Sequence, residues 1–436
     1  MIVLPYFLIF VFVVTLLLDT KKAILVAVLI RPVIDCFYDY KYGIAGIRPP
    51  ELFGVLLPTL IFFKMIMSQE HGFHRAPLST LWVFYIYFQL FGVAVIMTVG
   101  NDLLLATDYF FRAFNGFIGF FLFQEFFKTK KDFHALLVAH IAAGLTPLGM
   151  SVYQNILGGV IRSEATIGGL VRNIGFYHDA YTLRFYCFQT LAAVALYWFY
   201  FLSGIRFLSR SFLLVLTAVS VFTVYRIYSK AGYLIIAEWL LIWNAFQRKF
   251  MRLGLIVLLI LAAALLMKSQ FSTLDTVYSK EINAMQGKEK TDRMFQGRIG
   301  GWKFLMKNFA EAPIALQLVG DGSSHTGAHN DFIRALLGTG IFGLMLYLML
   351  LGAMAIRVVV KCGRVPSPLN TMAVMLVGMW MIDALGLVPG AYPGYQIFVW
   401  GFVGLALRGV DGLEPTADSE SSQHSAVNEI TAMAGG

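Results

Sequence analysis

Charge is what this chain has least of: Asp, Glu, Lys and Arg make up 14% of its 436 residues, while 58% are apolar and the mean hydropathy is +0.72. Soluble domains run near 25% charged and roughly 45–50% apolar, so an ordinary cytosolic enzyme is excluded and the bilayer is the solvent to reason with. Cysteine is scarce too. Cys36, Cys187 and Cys362 lie far apart with no CxxC or Cys/His spacing, which argues against a disulfide framework or a structural metal and leaves them as small apolar fillers. Also missing are a GxxxxGK[ST] phosphate loop, an HExxH and a strict DxD, the usual signatures of an ATPase, a zinc protease and a metal-dependent nucleotide-sugar transferase. There is no internal repeat and no inverted pair of interrupted spans of the kind that marks many secondary transporters. No basic residue precedes the first apolar run, and Lys21-Lys22 follows it, the reverse of a cleavable signal peptide, so that segment is expected to stay.

What the sequence has instead is apolar runs, at about 2–18, 22–35, 51–67, 79–99, 103–127, 133–153, 180–203, 211–228, 232–246, 253–267, 340–360, 369–388 and 396–408. At about 20 residues per span, these predict an all-α polytopic membrane protein of about 13 transmembrane helices. The second run is the weakest, because Arg31-Pro32 interrupts it.

Basic residues then set the orientation. Lys21-Lys22, Lys64 with Arg75, Lys128 with Lys130-Lys131, Arg206 with Arg210, Arg248-Lys249 with Arg252, and Arg357 with Lys361 and Arg364 fall in alternate connections. They number fifteen, against five (Lys41, Arg48, Arg162, Arg172 and Lys230) in the short connections opposite. The richer side is expected to be cytoplasmic, so the net charge of +9 reports topology rather than nucleic acid, and the C-terminus faces inward. The expected organisation is N-terminal transmembrane helices over 1–267, one long periplasmic loop over 268–331, C-terminal transmembrane helices over 332–410 and a disordered acidic cytoplasmic tail over 411–436. The loop is the only long polar stretch between spans. A loop this long in a compact protein is usually functional or disordered, and its GRIGGWKFLMKNF, with Trp302, Phe304, Leu305 and Phe309, reads as an amphipathic interfacial helix.

The stretch richest in chemistry is GDGSSHTGAHND at 320–331, directly before an apolar run. Glycines permit a tight backbone, and amides opening the next helix favour anions. His329 sits at the junction, where an imidazole with an unperturbed pKa near 6.5 can take a proton from a hydroxyl; Asn330 either positions a substrate or caps the helix. The bland alternative is a capped helix end with two surface histidines, His325 and His329. Arg298 offers a guanidinium fork suited to phosphate oxygens, or is a solvated loop residue. Arg172 lies on the same outer side, before a span. His178-Asp179 reads either as an acid/base pair or, more commonly, as a helix-start Asp beside an interfacial His. Lys230 adds charge for a phosphate, or snorkels to headgroups. Within the spans Arg112, Arg184, Glu238 and Asp383 are expensive unless paired or facing water, and Arg184 is placed to line the cavity that Arg172's connection enters. Basic groups and a histidine on one membrane face point to an anionic substrate there, with a lipid-linked diphosphate the best fit.

The order of these features is informative. Val171-Arg172-Asn173-Ile174-Gly175 precedes a middle span, Ser229-Lys230-Ala231-Gly232 forms an S-[RK]-x-G turn, and Gly297 to Trp302 gives G-R-x-x-x-W in the long outer loop; then come G-x-G, His329-Asn330 and the glycines Gly338, Gly340 and Gly343. This series resembles the O-antigen ligase and O-antigen polymerase family, most strongly from about 165 to 350. The resemblance implies an integral membrane glycosyltransferase of the bacterial inner membrane, working on the periplasmic side without nucleotide sugar, cofactor or obligatory metal. Its partners would be an undecaprenyl-diphosphate-linked glycan donor, a glycan or lipid-core acceptor, membrane lipids and other polysaccharide export proteins, with no nucleic acid. Carried onto this chain, Arg298 and Arg172 would bind the diphosphate, and His329 would activate the acceptor hydroxyl or hold the leaving group. The turn residue is more often Arg in the family. Here it is Lys230, a point charge rather than a fork. Repeat-unit polymerisation is the favoured activity; ligation to a lipid core and, from another class, a transporter or flippase of lipid-linked oligosaccharide are the alternatives.

Overall fold

Backbone amides in hydrocarbon have no water to bond, and a helix satisfies them internally. The computed structural model follows that constraint. It describes residues 3–39, 47–67, 76–99, 103–158, 162–165, 170–202, 207–249, 275–322 and 326–413, with a few positions between 251 and 258. In chain order the elements are α1 (Val3–Leu18), α2 (Thr20–Asp35), α3 (Pro49–Met67), α4 (Ser79–Val99), α5 (Leu103–Phe126) and α6 (Lys130–Asn155). An antiparallel hairpin of β1 (Ser163–Ala165) and β2 (Val171–Asn173), with Glu164 opposite Arg172, leads to α7 (Ala180–Phe201), α8 (Phe207–Arg226) and α9 (Lys230–Phe246). The outer segment holds α10 (Ser279–Met285), a 3-10 turn (Thr291–Gly297), α11 (Arg298–Glu311) and α12 (Ile314–Val319). Three helices close the chain: α13 (Asp331–Arg364), α14 (Pro368–Gly386) and α15 (Pro393–Arg408).

The chain is thus all-α and membrane-embedded: α3, α4, α6, α8, α13 and α14 are each long and apolar enough to cross a bilayer. Every apolar run of the sequence carries a helix except 253–267, which lies largely outside the described residues. The run expected to be weakest is continuous. Helix α2 passes through Pro32, and Arg31 is tolerated because its Nε pairs with Asp35 at 2.8 Å one turn on, while Tyr186 donates to the same carboxylate at 2.5 Å. The amphipathic helix expected in GRIGGWKFLMKNF is α11, which turns Phe304 outward and carries no buried residue.

Contacts sort the connections onto two ends of the bundle. At one end Lys21 meets Asp132 at 2.7 Å, the Asp411 amide donates to the Lys128 carbonyl at 2.9 Å, Leu369 N donates to Tyr200 at 3.1 Å and Lys361 reaches the Ala406 carbonyl at 2.7 Å. At the other, His178 meets Asp39 at 2.7 Å, Arg172 donates to the Ile227 carbonyl at 2.9 Å, Tyr392 donates to Asp179 at 2.6 Å and Asn330 reaches the Leu385 carbonyl at 3.2 Å. Lys21, Lys128 and Lys361, from one set of the charge alternation, fall at the first end, and Arg172, from the other set, at the second. Asp411, assigned to the tail, is held in a backbone bridge with Lys128 and Lys130; residues 414–436 lie outside the described residues.

Helix α13 is not one rod. At Gly340 (φ 65°, ψ −171°) the backbone leaves the helix, in a region that is essentially glycine-only. Asp331 nevertheless accepts from the Tyr347 hydroxyl, and the Phe332 and Tyr347 rings lie 6.2 Å apart. In a straight helix 16 residues would separate Asp331 from Tyr347 by about 24 Å, so segment 331–339 folds back against the helix that follows. Carbonyls exposed by the break are taken up by the outer loop: Asp321 N donates to Leu337 O at 3.1 Å and Gly322 N to Gly338 O at 3.0 Å. A side chain at Gly340 would collide with the Leu318 carbonyl. Gly340→Ala is therefore expected to cost more than about 2 kcal/mol, combining a strained backbone with a clash. Gly352→Ala, on the same helix with open space around it, is the control; equal thermal stability of the two variants in detergent would contradict the re-entrant geometry.

Candidate functional site

The site is built outward from a buried ion pair. Asp179 caps α7, accepting from Thr182 N at 2.8 Å, and this places Arg184 a little over one turn inside the helix. Arg184 is 2% exposed. One Nη donates to Asp383 of α14, the other to Ser229 Oγ at 2.6 Å, and the guanidinium lies 4.9 Å from the centre of the Tyr181 ring. Asp383 also accepts from Tyr395 at 2.9 Å. Ser229 in turn caps α9. One arginine therefore joins α7, α9 and α14.

Just beyond Asp383, α14 ends. The last carbonyls of a helix lack internal partners and carry partial negative charge, so donors and cations gather there. Gly386 O takes Arg298 Nη1, and Leu385 O takes the Asn330 amide. Helix α11 is pinned alongside: Trp302 Nε1 donates to Ala328 O at 2.8 Å, with Phe295 stacked on the indole at 6.5 Å. Ala328 is the residue before His329, which is exposed and has a left-handed backbone (φ 47°). A non-glycine residue in that region costs roughly 1–3 kcal/mol and is held only by its surroundings, a feature that clusters at functional sites.

Contacts chain these groups together: Arg172 donates to Ile227 O, two residues before the Ser229 that Arg184 bonds, and Arg298 and Asn330 bond the carbonyls just past Asp383. Burial, then the charges of Arg172 and Arg184, push the Arg298 guanidinium down from its ordinary range, although an arginine remains charged at any relevant pH. Burial, then the charge of Arg298, lowers the His329 imidazole below 6.5. Arg172, Arg184, Arg298 and His329 thus come from four separate chain segments and meet at one end of the bundle.

Other expected residues have different jobs. Lys230 is held by Glu281 of α10, with its ammonium 5.3 Å from the Tyr278 ring, so its charge is neutralised and it anchors the outer segment. Asn330 is the cap: its Oδ1 accepts from Phe332 N and Ile333 N, both at 3.0 Å. Those amides, and the Asp321 and Gly322 amides bound to α13, are therefore already occupied, which corrects the expectation that this stretch presents amides to an anion. His178-Asp179 is not a pair, because Asp179 caps α7 while His178 turns to Asp39. His325 lies outside the described residues. Sequence reasoning also left partners open. Arg112 pairs with Asp108 one turn back at 2.7 Å, and Asp383 is the counter-ion of Arg184. Two intramembrane charges of opposite sign near the same face were the available signal for the second pair. Among the described residues no group of three His, Cys, Asp or Glu is arranged to hold a metal ion.

No protein-family model and no curated protein matches the chain.

Two outcomes follow from this geometry. Removing one member of a buried pair strands the other, so Asp383→Ala is expected to lose about 3–5 kcal/mol in a denaturant titration of the detergent-solubilised protein. The His329 ring should titrate below 6.5 by NMR and move up in Arg298→Ala, since loss of a nearby positive charge favours the imidazolium. An unmoved titration would separate the two residues.

Proposed function

We propose that the chain is a membrane glycosyltransferase that transfers a glycan from an undecaprenyl-diphosphate carrier to a sugar hydroxyl on the periplasmic face of the bacterial inner membrane. The reading includes thirteen spans, a cytoplasmic C-terminus and assembly of an exported polysaccharide. One observation carries it: Arg172, Arg298 and the His329-Asn330 junction are placed around the Arg184–Asp383 pair and the end of α14, at the bundle end that charge alternation assigns to the outside. Two guanidinium groups at the rim, Arg172 and Arg298, are the right donors for a diphosphate, whose oxygens they match in geometry as well as charge. Arg184 is committed to Asp383 and supports the site from below.

In this mechanism the acceptor hydroxyl attacks the anomeric carbon, and the bond from that carbon to the diphosphate oxygen breaks with its electron pair leaving on the phosphate. His329, lowered in basicity by partial desolvation and by the charge of Arg298, takes the hydroxyl proton as general base. Arg298 and Arg172 balance the charge that grows on the departing diphosphate.

A second reading has its own observation. A half-helix that enters the bundle and breaks at Gly340 is a feature shared with transporters, so a conduit for lipid-linked oligosaccharide is the competing class. Purified protein supplied with a defined lipid-linked repeat unit, with and without a lipid-core acceptor, separates the readings. Polymer formed from the repeat unit alone indicates a polymerase, product seen only with core a ligase, and translocation without product a conduit. His329→Ala should lower turnover by roughly 10²–10⁴-fold while donor binding persists. Unchanged product yield would remove the histidine from the chemistry.

A further inference from the structure

Beneath the re-entrant segment, between α4, α5, α13, α14 and α15, lies a cavity walled by Trp82, Tyr85, Tyr109, Tyr347, Trp380 and Trp400. Four polar atoms lining it are buried and have no hydrogen-bond partner among the described residues: Trp82 Nε1, Gln89 Nε2, Tyr109 Oη and Arg112 Nη1. Trp82 and Gln89 are each 3% exposed and Tyr109 is 2% exposed, so bulk solvent does not reach them. A buried donor left unpaired costs roughly 1–3 kcal/mol, which makes four around one space a strong sign that something belongs there.

The chemistry of the lining restricts what that is. Each of the four can donate, so the occupant must accept. It need not be an anion, because the two cations at the cavity are already neutralised, Arg112 by Asp108 and Arg334 by Asp331 at 2.7 Å. Trp82 and Gln89 are seven residues apart on α4, about 10 Å along its axis, so the donors form a row rather than a cage for one ion. Free space amounts to about 20 Å³, a narrow slot that takes hydroxyl groups or water and not a whole ring. A row of acceptors between aromatic faces is what the hydroxyl-bearing edge of a sugar supplies. Asp331, two residues past His329 in the chain, is one of the residues lining the slot.

We propose that this slot binds the hydroxyl-bearing edge of a neutral saccharide, the acceptor of the transfer reaction. The assignment rests on the glycosyltransferase reading for the word acceptor, while the saccharide site itself stands on the cavity. It places the acceptor beneath the His329 junction and the carrier diphosphate at the arginine rim.

The test uses the full chain in lipid nanodiscs and methyl glycosides of glucose, galactose, mannose and N-acetylglucosamine as probes, with saturation-transfer NMR as the readout. At least one glycoside should bind saturably. Tyr109→Phe and Gln89→Leu, which each delete a donor at nearly constant volume, should weaken it roughly three- to tenfold with thermal stability retained. Arg298→Ala should leave glycoside binding unchanged while weakening binding of an undecaprenyl-diphosphate glycan. No saturable binding by any of the four, affinity indifferent to both donor deletions, or a density map showing water alone in the slot at saturating glycoside would each overturn the proposal. Glycoside binding that persists while Arg298→Ala leaves carrier binding intact would instead defeat the rim assignment and spare the slot.

Discussion

The ion pair between Arg184 and Asp383 is the joint on which the outer end of the bundle depends. Neither charge could be left alone at 2% side-chain exposure, so the helices that carry them must stay together, and Ser229 brings in a third. Once α14 is fixed by Asp383, its final carbonyls are fixed as well. Leu385 and Gly386 then receive Asn330 and Arg298, which come from parts of the chain with no covalent reason to be neighbours. A buried pair contributes modestly to net stability because desolvation offsets attraction; its stronger effect here is to determine which helix ends meet.

The re-entrant segment performs a second task. A loop entering a bilayer protein needs partners for every backbone group, and the 331–339 half-helix provides most of them internally. Its remaining carbonyls are closed by the Asp321 and Gly322 amides, and its first amides by Asn330. Asp331 is neutralised by Arg334 and bonded by Tyr347, which itself accepts from Trp380 at 3.1 Å. With its polar needs met, the segment can hold His329 in a left-handed backbone on a rigid base rather than on a free loop.

Much of this was legible in the sequence, for reasons that differ by feature. Apolar runs give helices because length and hydropathy suffice, and basic residues mark sides because a bilayer sorts charge. Arg172, Arg298 and His329 can be grouped from the sequence because motifs sit at connections, and alternation assigns connections to ends. The pairings were not readable. Lys230 looks like a free cation until α10 brings Glu281 to it, and His178-Asp179 looks like a dyad until the turn after α2 delivers Asp39. Gly340 is one of many glycines, and nothing local announces that the chain reverses there. The donors of the aromatic slot are seven residues apart on one helix and three apart on another, so only helix packing puts them in one cavity.

Like charges gathered in one region repel, and that repulsion is also a means of recognition. Burial first, then the charges of Arg172 and Arg184, lower the basicity of Arg298, so positive charge is disfavoured in this partly desolvated space. A dianionic group placed among them would remove that repulsion and gain Coulomb attraction in a medium where both are larger than in water. In the proposed reaction the negative charge on the carrier diphosphate grows as the sugar departs, so the same cations would hold the transition state more tightly than the bound donor. That difference, not the strength of binding itself, is what accelerates a reaction. Lys230, Arg112 and Arg334 each have a carboxylate partner, as Arg184 has in Asp383, and these pairs hold the helices that carry the rim.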